Sequence, residues 1–221
     1  MRAFFLFLAL LIPTLASADV APPPVLPTEN EVTLTSASGR VSFLMEAPIE
    51  KIKGEGNIVS SRLTFNTKDL TTLTGTLKVD VSSFKTSTFD DAGKNTAQTE
   101  HMINWFEIGP DVPQAKRNDF KIATLAIKAV TSAKPSETST LLDVDATLTL
   151  HGITKDVKVA VSVTPEGKTW KVKATKPFMV KLVDFDVKPR DLAGQLLQKG
   201  LEALGQKVAS EAQVSVDATI Q

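Results

Sequence analysis

The stretch LDVDATLTLHGITKDVKVAVSV, residues 142–163, decides the fold. Apolar residues occupy every second position of 142–150 and of 157–163, with mostly polar residues between them. This period of two places successive side chains on opposite faces of a β-strand, so each run has one apolar face. His151 and Gly152 separate the runs, and a short loop with Gly between alternating runs is typical of a β-hairpin. The stretch therefore predicts two antiparallel strands with one buried side.

The same alternation recurs in four further runs, at residues 41–45, 73–81, 170–173 and 214–220. Together the runs predict about eight strands, at a spacing typical of barrels and sandwiches. Within 120–129 the apolar positions change phase, which is typical of a β-bulge. We therefore expect an all-β protein whose antiparallel sheet closes around an apolar inner face.

Two segments interrupt the strand pattern. Residues 92–106 are polar and turn-like, with a short helix expected near 99–106. Residues 191–208 have apolar side chains at helical spacing and predict an amphipathic helix, for which Asp191 is a suitable N-cap. Glycines within it cost roughly 1 kcal/mol each relative to Ala, so the helix depends on packing, which we expect across one end of the barrel. The alternative is a helix on a membrane surface, but its polar face carries fewer basic residues than is usual there.

The N-terminal sequence, MRAFFLFLALLIPTLASA, has the form of a cleaved signal peptide. An apolar run at 3–12 follows a basic start, and the small residues at 16–18 offer a cleavage site. The run is too short for a membrane span, which needs roughly 20 apolar residues. We therefore expect residues 1–18 to be removed, residues 19–30 to form an extended Pro-rich leader, and residues 31–221 to form one domain.

The composition excludes several classes of function. Lys and Arg together number 25, as do Asp and Glu, so there is no net charge to attract nucleic acid. The absence of Cys excludes disulfides, thiol catalysis and Cys-based metal sites. With two histidines and no Tyr, the chain has few groups for acid, base or nucleophilic catalysis. We expect no nucleic-acid partner and no cofactor.

The histidines and the acidic pairs form no recognisable catalytic or metal motif in the sequence. His151 falls at a hairpin turn, and neither it nor His101 belongs to a paired metal-binding motif. The acidic pairs at 90–91 and 184–186 lack the ligand spacing and the central glycine of a calcium loop. We therefore expect no metal site and no enzyme, since an enzyme would need His101 in a cleft beside a carboxylate.

Residues 148–155, LTLHGITK, resemble the LTxHGxTK hairpin of the YceI-like family. Three shorter stretches, at 81–86, 100–108 and 184–187, are similar to other segments of that family and follow the same order. The last alternating run of the chain is similar to the family's last strand. The similarity covers about residues 31–221, which is essentially the whole expected domain.

The resemblance implies a lipocalin-like antiparallel barrel that encloses a long apolar chain in the periplasm. Members of the family are described as lipid- or polyisoprenoid-binding. The chain departs from the family near His101, where a preceding Arg is missing and the spacing to Trp105 is tighter, and at Asp186, where the family has Gly. The fold is therefore expected to carry over more closely than the identity of the ligand.

Two functions remain open on these grounds. The first is an exported periplasmic protein that holds an isoprenoid or similar long apolar chain for sequestration or transport, with secretion outside the cell as the alternative destination. The second is a filled barrel that serves as a structural or interaction protein of the cell envelope. We expect a monomer or homodimer, with at most transient membrane contact.

If a lipid is bound, its contacts are expected at inward strand positions, because a barrel of about eight strands either fills with side chains or holds one small ligand. The alternation selects apolar and aromatic residues for the interior, two aromatic residues near an opening and one histidine for a polar head group. The expected ligand-binding residues are Phe43, Phe65, Leu77, Val79, Phe84, Leu148, Trp170 and Phe178 in the interior, Trp105 and Phe106 near the opening, and His101 at the head group.

Overall fold

The computed structural model describes residues 30–46, 51–190, 192–203 and 210–221. In these residues the chain forms ten strands, three α-helices and one 3-10 helix. The strands are β1 (Glu31–Leu34), β2 (Ala37–Glu46), β3 (Lys51–Asn66), β4 (Asp69–Thr86), β5 (Ile122–Pro135), β6 (Thr140–Leu150), β7 (Ile153–Glu166), β8 (Thr169–Ala174), β9 (Phe178–Lys181) and β10 (Glu211–Ile220). The helices are α1 (Ala92–Trp105), α2 (Gln114–Phe120), the 3-10 helix (Leu182–Phe185) and α3 (Leu192–Ala203).

The strands form one closed antiparallel barrel. Around it the order is β3, β2, β10, β8, β7, β6, β5 and β4, and β4 pairs with β3 to complete the circuit. Two short strands extend this wall. β1 pairs with the part of β3 that extends past β2, and β9 pairs with the part of β10 that extends past β8. Eight strands therefore make the wall, and the predicted all-β, lipocalin-like barrel is confirmed.

The β6–β7 hairpin behaves as its sequence predicts. The two strands pair along the whole of β6 without a register shift, so the alternating apolar residues all face inward. Leu142 is 1 % exposed and Ala146 is 0 % exposed. Burying each large apolar side chain stabilises the fold by about 1.5–3 kcal/mol. At the turn, His151 and Gly152 have φ values of 50° and 76°, and a tight hairpin turn of this kind needs positive φ at both central positions.

The interior packs as two apolar clusters that follow one another along the barrel. On β6, Leu142, Val144 and Ala146 belong to the first cluster, whereas Leu148 and Leu150 belong to the second. The second cluster also includes apolar residues of α1 and of the 3-10 helix, which lie at that end. One end of the barrel is thus closed by strand side chains alone in the described structure, and the other is packed against helices.

Helix α1 is longer than predicted. The sequence pattern placed a short helix near 99–106, but the helix begins at Ala92 and ends at Trp105. Asp91 provides the start, because its side chain accepts a hydrogen bond of 2.9 Å from the backbone N–H of Lys94. The large apolar residues, Met102, Ile103 and Trp105, are confined to the second half of the helix, which is why hydrophobic spacing indicated only that half.

The phase change within 120–129 has two sources, a helix at its start and a register shift at its end. Phe120 is the last residue of α2, a helix that the sequence analysis did not predict, and β5 begins only at Ile122. The register between β5 and β6 shifts between Ile127 and Ala129, as the predicted bulge requires, and shifts again between Val130 and Ser132. Phe120 thus belongs to a different element from the apolar residues that follow it.

Helix α3 covers Leu192–Ala203, within the amphipathic helix predicted for 191–208. Asp191, its predicted N-cap, and residues 204–209 lie outside the described residues, as do the predicted signal peptide and residues 19–29 of the leader. Leu196 is 59 % exposed. Of the helices in the described ranges, none is long and apolar enough to cross a bilayer.

Closure of the barrel depends on close backbone approach at Gly75. Its φ is 124°, and a Cβ there would lie 1.9 Å from the carbonyl oxygen of Arg62 on β3. We expect Gly75→Ala to lower the free energy of unfolding by more than about 2 kcal/mol, measured by urea denaturation. Gly167→Ala is the matched control, because Gly167 also has positive φ but a Cβ there would meet no atom within 4 Å. It should cost only about 1 kcal/mol, and equal losses in both variants would contradict the close-approach argument.

Candidate ligand-binding site

A cavity of about 180 Å³ occupies the end of the barrel beside α1, and we call it the upper cavity. Inward residues of β2, β3, β4, β5, β6, β9 and β10 form its wall, together with α1. Of the described residues that line it, only Thr86, Gln98 and His101 are polar. The other lining side chains are apolar. An apolar ligand that moves from water into this cavity would therefore leave few polar groups of the wall without a hydrogen-bond partner.

One face of α1 closes the upper cavity. Gln98, His101, Met102 and Trp105 follow the spacing of a single helical stripe, and all four line the cavity. From the sequence, the helix at 191–208 is expected to cover one end of the barrel. In the structure α1 has this position at the upper cavity, and no described residue of α3 lines it.

Hydrogen bonds hold α1 to the end of β4. The hydroxyl of Thr86, the last residue of β4, donates to the carbonyl of Asn95 at 2.8 Å, and the N–H of Thr86 donates to the hydroxyl of Thr99 at 3.0 Å. The side chain of Asn95 also bridges the N–H and the carbonyl of Phe89, at 2.9 and 2.8 Å, within the connecting loop. Since Thr86 itself lines the cavity, these bonds fix the helix directly on the wall.

Two aromatic rings form part of the wall because two glycines leave room for them. The ring centroids of Phe43 and Phe84 are 5.6 Å apart, with the planes at 48°. A Cβ on Gly54 would lie 2.7 Å from the ring of Phe43, and one on Gly56 would lie 2.6 Å from the ring of Phe84. The Gly-x-Gly pattern of β3 therefore lets both rings lie flat against the backbone.

A second, smaller cavity of about 80 Å³ lies farther along the barrel, and we call it the lower cavity. All the described residues that line it are apolar. Phe65 and Trp170 pack edge to face there, with centroids 4.9 Å apart and planes at 83°. The interior thus contains two adjoining apolar spaces and is not completely filled by side chains.

All eleven predicted ligand-binding residues line one of these cavities. Leu77 lines both, and Phe65 and Trp170 line the lower cavity alone. The predicted residues at the upper cavity are Phe43, Leu77, Val79, Phe84, His101, Trp105, Phe106, Leu148 and Phe178. Their contact with a ligand stays a prediction.

Several lining residues were missed by the sequence analysis. Met45, Val81 and Leu150 also line the upper cavity and continue the alternating runs, so the same pattern could have identified them. Leu182 and Val187 lie in and just after the 3-10 helix. No strand or helix periodicity marks these two positions, because the chain changes direction there.

A group of charged and polar side chains lies immediately behind the upper cavity. Four of its members are chain neighbours of the lining residues Phe106, Leu150 and Val187. We call this group the rim cluster, and it consists of Glu107, Lys116, His151, Asp186, Lys188 and Arg190. It joins the end of α1, the β6–β7 turn and the segment after the 3-10 helix.

His151 and Arg190 are at the centre of the rim cluster. The side chain of His151 is 3 % exposed, with Nδ1 3.1 Å from the carbonyl oxygen of Phe185 and Nε2 3.1 Å from Oε2 of Glu107. Arg190 Nη2 lies 3.2 Å from that same Glu107 oxygen and 2.8 Å from Oδ2 of Asp186. These contacts connect three segments that are far apart in the sequence.

Three residues of the rim cluster adopt the left-handed backbone conformation. Glu107, His151 and Asp186 have φ values of 53°, 50° and 55°. Such a conformation costs a non-glycine residue of order 1–3 kcal/mol, so the surrounding contacts must compensate for it. The similar family segment has Gly at the position of Asp186, and Gly adopts this conformation without strain. The carboxylate gained there pairs with Lys188 and Arg190.

The cationic side chains lower the pKa values of both carboxylates in the rim cluster. Burial opposes this at Glu107, but the hydrogen bond from Lys116 and the charge of Arg190 lower its pKa below the ordinary value. The hydrogen bonds from Lys188 and Arg190 lower the pKa of Asp186 to about 2. Both carboxylates are therefore charged at neutral pH.

Burial lowers the pKa of His151 below its ordinary value, against the opposing effects of the Phe185 carbonyl and Glu107. The ring is therefore neutral at pH 7. Both ring nitrogens face acceptors, since Nδ1 lies against the carbonyl oxygen of Phe185 and Nε2 against the carboxylate of Glu107, and the neutral ring can donate to one of them at a time. The ring of Phe120 packs on the imidazole with centroids 3.9 Å apart, which completes its burial.

Glu107, His151 and Asp186 have potential metal-ligating atoms within 4.8 Å of one another. Three cationic side chains already pair with the two carboxylates. A cation would have to displace these ion pairs, so the arrangement fits a structural ion-pair network better than a metal centre. The expectation of no metal site stays a prediction.

Residues 32–220 match the family of YceI-like domains. The chain belongs to the YceI-like family. The resemblance drawn from the hairpin and the shorter stretches is thereby confirmed, over essentially the whole described barrel. Comparison with curated proteins found no significant match.

Two solved structures share the fold of this YceI-like barrel. The crystal structure of BcnA from Burkholderia cenocepacia is 19 % identical and covers 84 % of this chain and 96 % of its own, with a TM-score of 0.55. A polyisoprenoid binding domain from Saccharophagus degradans, implicated in plant cell wall breakdown, is 14 % identical and covers 85 % of this chain and 98 % of its own, with a TM-score of 0.53. At these identities the similarity shows a common fold.

The buried neutral His151 predicts a loss of stability in mild acid. Unfolded, the ring takes up a proton below about pH 6.5. Folded, it resists protonation because its pKa is lowered, so its contribution is present above pH 6.5 and declines as pH falls below that value. We expect the urea midpoint to fall between pH 7.5 and pH 5. The carboxylates of the rim cluster do not contribute in this window, because their pKa values are lower still.

His151→Asn tests this assignment. Asn tolerates positive φ and can still donate to the Phe185 carbonyl, so the variant should lose about 1–2 kcal/mol at pH 7.5 but show a shallower pH dependence. Phe120→Leu is the control, since it weakens packing on the ring but keeps the titrating group. An unchanged pH slope in His151→Asn would refute the role of the histidine.

Proposed function

We propose that this protein is an exported periplasmic lipid-binding protein that holds an isoprenoid or similar apolar chain inside the barrel for sequestration or transport. The observation that carries the proposal is the upper cavity, an apolar space in a closed barrel, covered by α1. Each methylene group that leaves water for such a space contributes about 0.8 kcal/mol. An apolar chain is therefore the ligand class that this wall binds best.

The polar residues of the upper cavity support a ligand with one polar end. Gln98 and His101 lie on the cavity-facing stripe of α1, and Thr86 lies where α1 meets β4. All the polar lining is thus gathered on the side of the lid. A chain with its head group beneath α1 and its apolar tail toward the middle of the barrel matches this distribution.

The comparisons support the same class of ligand. One of the solved structures with this fold is a polyisoprenoid binding domain. The alternative from the sequence, a filled barrel without a ligand, is less consistent with two apolar cavities in the interior. A catalytic function has little support, because His101 is the sole titratable residue among those described that line the cavities.

Filling the upper cavity should abolish lipid binding. Ala123 on β5 is buried and lines the cavity, opposite Val79. We expect Ala123→Phe to place its ring in the space that the ligand would occupy, so that lipid no longer co-purifies. Native mass spectrometry and organic extraction of protein purified without delipidation measure this.

Thr124→Phe is the matched control for Ala123→Phe. Thr124 is the next residue of β5, on the opposite face of the strand, and does not line either cavity. It should retain bound lipid. The proposal fails if wild-type protein carries no lipid and binds no prenyl alcohol, or if folded Ala123→Phe binds as well as wild type.

The proposed destination rests on the signal peptide expected at residues 1–18. The mature protein should begin at Asp19 and appear in the periplasmic fraction of a Gram-negative host. Edman sequencing of the purified protein and osmotic-shock fractionation measure these outcomes. Retention of Met1, or recovery in the cytoplasmic fraction alone, would refute export.

A further inference from the structure

The upper and lower cavities meet at three residues. Leu77, Leu125 and Val216 each line both cavities, and no other described residue does. Leu77 and Leu125 are directly paired neighbours on β4 and β5. Val216 is on β10.

These residues face one another across the barrel. In the closed circuit β10 is three strands from β4 by way of β2 and β3, and four strands from β5 by way of β8, β7 and β6. In a barrel of eight strands, four steps is the opposite wall. The pair Leu77 and Leu125 therefore approaches Val216 from the far side, at one level of the barrel.

Other side chains pack tightly at this level. Ala146 on β6 is 0 % exposed and lines neither cavity, although Val144 and Leu148, the inward residues on either side of it, line the lower and upper cavities respectively. Ser61 on β3, which pairs with Leu77, is also buried and lines neither cavity. Buried side chains thus narrow the interior between the two cavities.

The size of the upper cavity indicates what such a narrowing does. An engineered cavity of about 150 Å³ takes up benzene, and pockets for drug-sized ligands span about 300–1,000 Å³. At about 180 Å³ the upper cavity has room for a short apolar chain, and a longer one would have to continue into the lower cavity.

We propose that Leu77, Leu125 and Val216 form a constriction that limits the length of the apolar chain the barrel accepts. This inference rests on the proposed function and specifies its ligand class as prenyl or alkyl chains short enough to end above the constriction. The head group lies beneath α1, because the polar lining residues are all in the upper cavity. The apolar chain of the ligand does not extend into the lower cavity.

The two tryptophans of the chain report on the two cavities separately. Trp105 lines the upper cavity and Trp170 lines the lower one. In a Trp170→Phe background the fluorescence reports the upper cavity, and in a Trp105→Phe background it reports the lower. The probes are prenyl alcohols of two, three and four isoprene units, titrated into delipidated protein.

With no further substitution, we expect the two-unit alcohol to change Trp105 fluorescence in the Trp170→Phe background. We expect no alcohol to change Trp170 fluorescence in the Trp105→Phe background. Affinity should not increase from the shortest to the longest alcohol. Leu125→Ala opens the constriction, so the four-unit alcohol should bind about tenfold more tightly than to wild type and should change Trp170 fluorescence. This gain needs only a few additional buried methylene groups, since each contributes about fourfold. Leu77→Ala provides the same test if Leu125→Ala does not fold.

Ile127→Ala is the matched control. Ile127 is the next inward residue of β5 and lines only the lower cavity, so its truncation enlarges that space without opening the constriction. It should bind like wild type. A Trp170 response in otherwise wild-type protein, or an equal chain-length preference in Leu125→Ala, overturns the constriction but leaves lipid binding intact. Failure of every alcohol to bind any variant overturns the proposed function together with the constriction.

Discussion

Closure of the sheet between β3 and β4 is the constraint on which the rest of the structure depends. An alternating strand in an open sheet needs another layer to cover its apolar face. Once eight such strands close into a ring, their apolar faces cover one another and enclose an interior only wide enough for side chains or one small ligand. The size of each inward side chain then decides whether its level of the barrel is open or filled.

The distribution of large and small inward residues produces two spaces in place of one. Aromatic side chains surround both cavities, yet Gly54 and Gly56 let the rings of Phe43 and Phe84 lie against the wall and so preserve the upper space. At the middle of the barrel, Leu77 and Leu125 extend toward Val216. The shape of the binding site is therefore a property of the combined inward faces and cannot be assigned to one strand.

The end of the barrel that α1 covers is organised by polar contacts that lie outside the cavity. Thr86 fixes α1 to β4, and the rim cluster joins the end of α1 to the β6–β7 turn and to the segment after the 3-10 helix. Glu107, His151 and Asp186 adopt a strained backbone conformation there. Their ion pairs and the buried imidazole compensate for that strain. Because these polar contacts lie behind the wall, the cavity itself stays almost free of polar groups.

The period of two, read from the sequence by itself, determined the strands, the inward faces and the closed all-β barrel, because alternation is a local property of each strand. The LTLHGITK hairpin likewise indicated the family, and most of the inward positions that the alternating runs specify line one of the cavities. The sequence did not reveal the full length of α1, the helix α2 or its role for Phe120, since these segments have weak hydrophobic spacing.

Only the tertiary structure decided that α1 covers the upper cavity, that His151 meets Glu107 and that Val216 faces Leu77 and Leu125. The physical reason is that these contacts join residues that are distant in the sequence. Their distances depend on how many strands lie between them around the barrel and on the register of each pair. No local pattern records either quantity.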